Sequence, residues 1–190
     1  MDPIFTIQWP EFVVIERLKL AFPKSEGYSV LIPASRQEKG FDLAVLKKGE
    51  GATRVATIQV KASRSYPSQK PKRETTKRYR FGTWFNRFNV PREADFFILL
   101  GMYAPDLGRT APVTKLWYQS IMLLFTNDEM KAFIDSCRTV SGEPDRSFSF
   151  DFDDETRILL TRGDQQRSGR DYSGNLIEHR LDDIKLLLES

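Results

Sequence analysis

The chain has almost none of the residues that build disulfides and histidine-rich centres: its 190 residues include one cysteine, Cys137, and one histidine, His179. Intrachain disulfides are therefore excluded, as is every zinc site that draws on several such ligands. A nucleophilic pair of Cys137 and His179 has no support either, since neither residue stands in a recognisable nucleophile context. Long apolar runs are missing as well. The longest, Phe96 to Ala104, is far too short to span a bilayer. The amino terminus MDPIF has no basic region leading into an apolar stretch, so a cytoplasmic protein with no membrane partner is expected. Internal repeats and low-complexity tracts are absent.

Acid is scarce in one place only. Between Lys61 and Arg92 stand ten basic side chains and a single acid, Glu74, a net +9, which leaves −6 on the rest of a chain whose total is +3. So concentrated a positive segment suits a polyanion-facing groove. Within it Arg64, Lys70, Lys72, Arg73, Lys77, Arg78, Arg80 and Arg87 are candidates for contact with a nucleic-acid backbone. Phe81, Trp84, Phe85 and Phe88 are interleaved with Arg80, Asn86 and Arg87. That mixture suits base stacking, and equally an aromatic strand packed on the core.

With 40% hydrophobic residues the chain can build one sizeable core. A single domain over residues 1–190 is expected, its core at about 10–138 and a C-terminal elaboration at about 139–190. Pro10 to Phe22 has helical spacing, and Glu16 lies between Phe12 and Leu20 on the i, i+4 ladder, bordering the apolar face. Tyr28 to Pro33 reads as a first strand.

The stretch Gly40 to Ser63, GFDLAVLKKGEGATRVATIQVKAS, reads as two strands joined by a glycine turn. Phe41, Leu43 and Val45 alternate with Asp42, Ala44 and Leu46, Gly49 and Gly51 supply the turn, and Val55 to Lys61 resumes the alternation. Side chains two apart on a strand share a face, so Gln59 and Lys61 point one way and Ile58 and Val60 the other. With the turn centred near Glu50, antiparallel pairing sets Asp42 opposite roughly residue 58. A carboxylate, an amide oxygen and an ammonium then converge. Oxygen ligands of this kind suit a hard divalent ion, and a lysine beside it can position or deprotonate a water for attack on a phosphate.

These residues resemble the signature of the PD-(D/E)XK nuclease superfamily, over about residues 10–101. There an acidic residue opens the second strand, a (D/E)-x-K triplet closes the third, and many members carry a glutamate on the preceding helix. Asp42, the triplet Gln59–Lys61 and Glu16 take those places, with Glu11 in reserve. Phe41 departs from the family's usual proline, and Gln59 from its usual carboxylate, which removes one negative charge. The Q-x-K triplet is similar to that of Mrr-type restriction endonucleases. The spacing from Glu16 to Gly27-Tyr28 is similar to that of archaeal Holliday-junction resolvases.

The resemblance implies an α/β protein of the restriction-endonuclease-like fold, a mixed sheet flanked by helices. It implies Mg2+ or Mn2+ held by Glu16, Asp42, Gln59 and the Val60 carbonyl, with Lys61 orienting or activating the water, and an endonuclease acting on double-stranded DNA. Many nucleases of this fold act as dimers, so a homodimer or larger complex belongs to the expectation. The single histidine is at odds with HNH-type and phospholipase-D-type nucleases. Two other functions suit the same residues: a non-catalytic module of this fold that binds nucleic acid or a protein partner, and an interaction protein whose basic, aromatic segment meets an acidic partner.

Ser63 to Pro91 begins as a loop, since prolines and polar residues dominate it and the helix usual in the superfamily has no periodicity here. Asp95 to Gly101 is a buried central strand, and Leu116 to Phe125 a further strand. Thr126 and Glu129 form a capping box that opens a helix through Cys137. Ser147 to Phe152 and Thr156 to Thr161 make a second hairpin, and the acids Asp151, Asp153, Asp154 and Glu155 form its solvated turn. Residues 163–175 are polar and expected to be mobile. Leu176 to Leu188 closes the elaboration as an amphipathic helix, with Leu181, Ile184, Leu187 and Leu188 on one face and His179 in a structural place.

Overall fold

The computed structural model describes residues 9–33, 40–67, 81–103, 119–152, 158–163 and 170–190. Helix α1 (Trp9–Ala21) buries Val14, Ile15 and Leu18. Strands β1 (Tyr28–Leu31), β2 (Leu43–Lys48) and β3 (Thr53–Pro67) follow as an antiparallel meander. The β2–β3 turn closes with the Gly49 N–H donating to the Ala52 carbonyl at 3.0 Å, and it sets Leu43 opposite Ile58. The glycines therefore place the register where the sequence puts it.

β3 has fifteen residues, and no single sheet uses all of them. Strand β4 (Phe81–Phe85) pairs with its end, Ser65 to Pro67, whereas strand β5 (Phe96–Tyr103) runs parallel to Ile58 through Arg64. Strand β6 (Gln119–Thr126) pairs antiparallel with β5 and leads into helix α2 (Asn127–Ser136). Strands β7 (Phe148–Phe152) and β8 (Ile158–Arg162) extend β4 into a second, antiparallel sheet, and helix α3 (Ile177–Glu189) follows. The architecture is mixed α/β, two sheets sharing one long strand. Ser63 to Pro67 thus belongs to a strand, correcting the expected loop: polar residues lie comfortably there because the strand is crossing from one sheet to the other.

Alternation along β3 divides the core into two layers. Ile58 and Val60 join Leu43, Val45, Ile98 and Leu100 beneath α1 and α3. On the other face Phe97, Leu99 and Phe125 meet Phe81, Phe85, Phe148, Phe150 and Phe152 of the second sheet and Phe133 of α2. Phe133 packs edge-on against Phe148 with ring centres 4.8 Å apart, an arrangement the ring quadrupoles favour. Covered on both sides, β5 is buried from Phe96 to Gly101, as a non-alternating apolar run requires.

Two helical faces differ from expectation. Phe12 and Leu20 are 45% and 78% exposed, so the Phe12–Glu16–Leu20 ladder is the solvent stripe of α1 and not the border of its apolar face. On α3, Ile177, Ile184 and Leu188 go in while Leu187 stays out. Asp151 lies on β7, and residues 153–157, which hold the rest of the acidic cluster, are outside the described set. No helix among the described residues is long and apolar enough to cross a membrane.

Polar contacts tie the layers. The capping box of Thr126 and Glu129 forms as read from the sequence. The Glu129 carboxylate also accepts from the Arg180 guanidinium of α3 through both oxygens, at 2.9 Å each. Burial works against the Glu129 charge, but hydrogen bonds from Arg180 and the Thr126 N–H outweigh it and hold the carboxyl below its ordinary value of 4.5. A depressed carboxyl stabilises the fold above its unfolded pKa, and that contribution disappears as pH falls through the folded value. Urea midpoints measured at pH 7 and at acid pH should therefore converge for wild type and Arg180→Ala in acid, with the wild type ahead at pH 7.

Candidate active site at the hairpin

β2 starts at Leu43, so Asp42 is where the hairpin's ladder ends. The Asp42 N–H still donates to the Ile58 carbonyl at 2.9 Å. The next donor along β3, the Val60 N–H, finds no main-chain acceptor on that side, and Asp42 Oδ2 takes it at 2.7 Å. Gln59 Nε2 donates to the same oxygen and lies 3.5 Å from the Val60 carbonyl. Gln59 is only 7% exposed. A carboxamide that deep needs its partners, and Asp42 supplies the chief one.

Lys61 follows two residues on, on the same face, and is exposed. Among the described residues it makes no ion pair. Three of the four residues singled out as catalytic, Asp42, Gln59 and Lys61, therefore stand together, and the Val60 carbonyl lies beside them.

Glu16 is not brought to this group. Helix α1 covers the sheet face that carries Ile58 and Val60, whereas Gln59 and Lys61 project from the opposite face. The Glu16 carboxylate is on the solvent side of α1, paired with Lys19 at 3.0 Å. Glu11 sits on the same helix, in its first turn. No three acids, histidines or cysteines gather as a metal-holding group among the described residues. The oxygen set is thus one carboxylate, one backbone carbonyl and one carboxamide, whose oxygen takes the place of its NH2 if the group turns end over end. In kind these donors fit a hard divalent ion. In charge they offer a single negative, so an anionic substrate would have to supply the remainder.

Gln59 and Lys61 open onto a cleft of about 430 Å³ whose far wall runs from Trp84 to Pro91. Of the basic candidates, Arg87 lines the cleft and is exposed. Arg64 is exposed on β3, but alternation turns it away from the face of Lys61. Lys70, Lys72, Arg73, Lys77, Arg78 and Arg80 lie outside the described residues. Phe81, Phe85 and Phe88 are buried, which decides for packing over stacking at those three, while Trp84 is 36% exposed and borders the cleft. Asn86 and Asn89, which flank Arg87 and Phe88, also line it; sequence reasoning named Asn86 only within the aromatic mixture and missed Asn89. The alternation Phe85 in, Asn86 and Arg87 out, Phe88 in is the signal that carried them.

Removing the Asp42 carboxylate orphans a buried N–H and a buried carboxamide. Asp42→Ala is expected to cost about 1–3 kcal/mol of folding stability, read as a lowered urea midpoint, while Lys61→Ala leaves that midpoint unchanged.

Comparison with protein-family models, with curated proteins and with solved structures finds no significant match to this chain.

Proposed function

We propose that this chain is a metal-dependent endonuclease of the restriction-endonuclease-like type, hydrolysing DNA phosphodiester bonds at the open end of the β2–β3 hairpin. The observation that carries the reading is the convergence, through strand register alone, of Asp42, Gln59 and Lys61 on one sheet face beside an open cleft. A segment of net charge +9 begins at that lysine. Asp42, the Val60 carbonyl and the Gln59 amide oxygen would hold Mg2+ or Mn2+. Such an ion would neutralise phosphate charge and lower the pKa of the water so that hydroxide is available at neutral pH.

The chain's own residues do the remaining work. Asp42 lies at the floor of the site, its Oδ2 anchored by the Val60 N–H. Before an ion binds, Gln59 fixes the direction of the carboxylate through its NH2. Lys61 presents an exposed ammonium two residues away, where it meets a phosphate oxygen or the incoming water. The basic segment supplies backbone affinity that falls steeply with salt and ignores sequence. Glu16 has no part in this mechanism.

One observation favours a second reading, a non-catalytic nucleic-acid-binding module: the Gln59 amide already donates to Asp42, the place where a cation would sit. Plasmid nicking in Mg2+ or Mn2+ separates the two. The nuclease reading expects nicking that chelator abolishes and that falls about 10²-fold or more in Lys61→Ala, with DNA binding in chelator retained. Equal nicking by Lys61→Ala would overturn the mechanism, and DNA binding without any nicking would select the module.

A further inference from the structure

The wall opposite Lys61 is built more carefully than a solvent loop requires. Phe85 and Phe88 both enter the core, so the two residues between them must turn outward and reverse the chain. Arg87 does so at φ 51°, the only positive φ of a non-glycine among the described residues, a conformation that costs a side-chain-bearing residue energy and persists where surrounding contacts impose it. The contacts are present. The Phe88 N–H donates to the Arg146 carbonyl at 3.0 Å, and Asn127 Nδ2 holds the carbonyls of Pro91 and Ala94 at 2.9 and 2.6 Å.

The asparagines are oriented by the same neighbours. Arg146 Nη1 donates to Asn89 Oδ1 at 2.9 Å, and because a guanidinium only donates, the NH2 end of Asn89 is the one left to meet a ligand. Ser147 Oγ lies 2.7 Å from Asn86 Oδ1. The cleft is accordingly lined by donors, Lys61, Arg87 and Asn89, and none of the described residues that line it is acidic. On the outward face of β4, where a polar residue is ordinary, stands Trp84.

We infer that this cleft is a binding site for one unpaired nucleotide of a nucleic-acid strand, its base stacked on Trp84 and its phosphate met by Arg87 and the Asn89 amide. Two cations and a directed amide select an anion with acceptor oxygens, and Trp84, 36% exposed where it borders the cleft, offers aromatic surface to a flat ring. Bases inside a duplex have both faces covered by their neighbours, so the ring that reaches Trp84 is unpaired: a single strand, a flap or an extruded nucleotide. The site rests on the nuclease reading only for the scissile phosphate at Lys61, and it deepens that reading by naming the substrate class as DNA with an unpaired nucleotide next to the cut.

The test uses the full chain in chelator, with Trp9→Phe and Trp117→Phe so that Trp84 is the sole fluorescent indole. Probes are thymidine monophosphate, a labelled oligothymidylate of about twelve nucleotides and a blunt duplex, with binding read independently by anisotropy. The oligothymidylate should quench Trp84, and thymidine monophosphate should do so only at far higher concentration. Trp84→Ala should weaken oligothymidylate binding about tenfold or more while duplex binding stays put. Arg87→Gly, which suits the positive φ and keeps the fold, should weaken it too. No oligothymidylate binding, an unmoved Trp84 signal at saturation, or equal losses for strand and duplex would each overturn the site. Because cleavage plays no part, a protein that passes here yet fails to nick DNA would refute the nuclease reading alone.

Discussion

One hydrogen bond sets the position of everything else in the candidate site: the Val60 N–H to Asp42 Oδ2. A buried main-chain donor in a sheet must be paired, and β2 begins two residues too late to pair this one with its backbone. The carboxylate completes the ladder instead. That fixes the Asp42 rotamer, brings Gln59 against it, and leaves Val60 and Lys61 beyond the reach of β2, so that Lys61, paired with Leu99 of β5, stands at the lip of a cleft. In the proposed mechanism the Asp42 carboxylate has a chemical job beside its structural one, and its loss would disturb both, whereas Lys61 would have only the chemical one.

The cleft exists because β3 is shared. Its first half belongs to the five-stranded sheet and its last residues to the second sheet, and the divergence between the two sheets opens space at Gln59, Lys61 and Ala62. The second sheet brings the far wall with it: Phe85 and Phe88 anchor Trp84 to Asn89 in the aromatic layer, and Arg146, Ser147 and Asn127 hold the wall from behind. Where the superfamily usually has a helix and this sequence reads as a loop, β4 supplies an aromatic-backed face.

Local chemistry made much of this legible. Gly49 and Gly51 announced the turn, period-two alternation announced β2, β3 and β7, and Thr126 with Glu129 announced the start of α2, because each signal depends on neighbours close in sequence. Face selection on α1 was not legible. Phe12, Val13, Val14, Ile15, Leu18 and Leu20 surround most of that helix with apolar side chains, so spacing alone cannot choose which stripe meets the sheet, and Glu16 was assigned with the wrong one. The extension of β3 through Ser63, Arg64 and Ser65 was hidden for a related reason: its partner, β4, is settled by tertiary packing, and polar residues at a crossing between sheets look like a loop. The burial of Phe81, Phe85 and Phe88 with Trp84 left outside also waited on knowing which face of β4 the core takes.

The central claim is that Asp42 and its neighbours form a cation site completed by a phosphate. Its most direct test is calorimetric titration of Mn2+ into Lys61→Ala protein with duplex DNA already bound, a variant expected to cut about 10²-fold more slowly, alongside the same protein carrying Asp42→Asn, which keeps a neutral acceptor for the Val60 N–H. The account predicts a saturable Mn2+ site in the first protein, weaker or absent without DNA, and lost in the second. Identical titrations for the two proteins, or no Mn2+ binding with DNA in place, would contradict it.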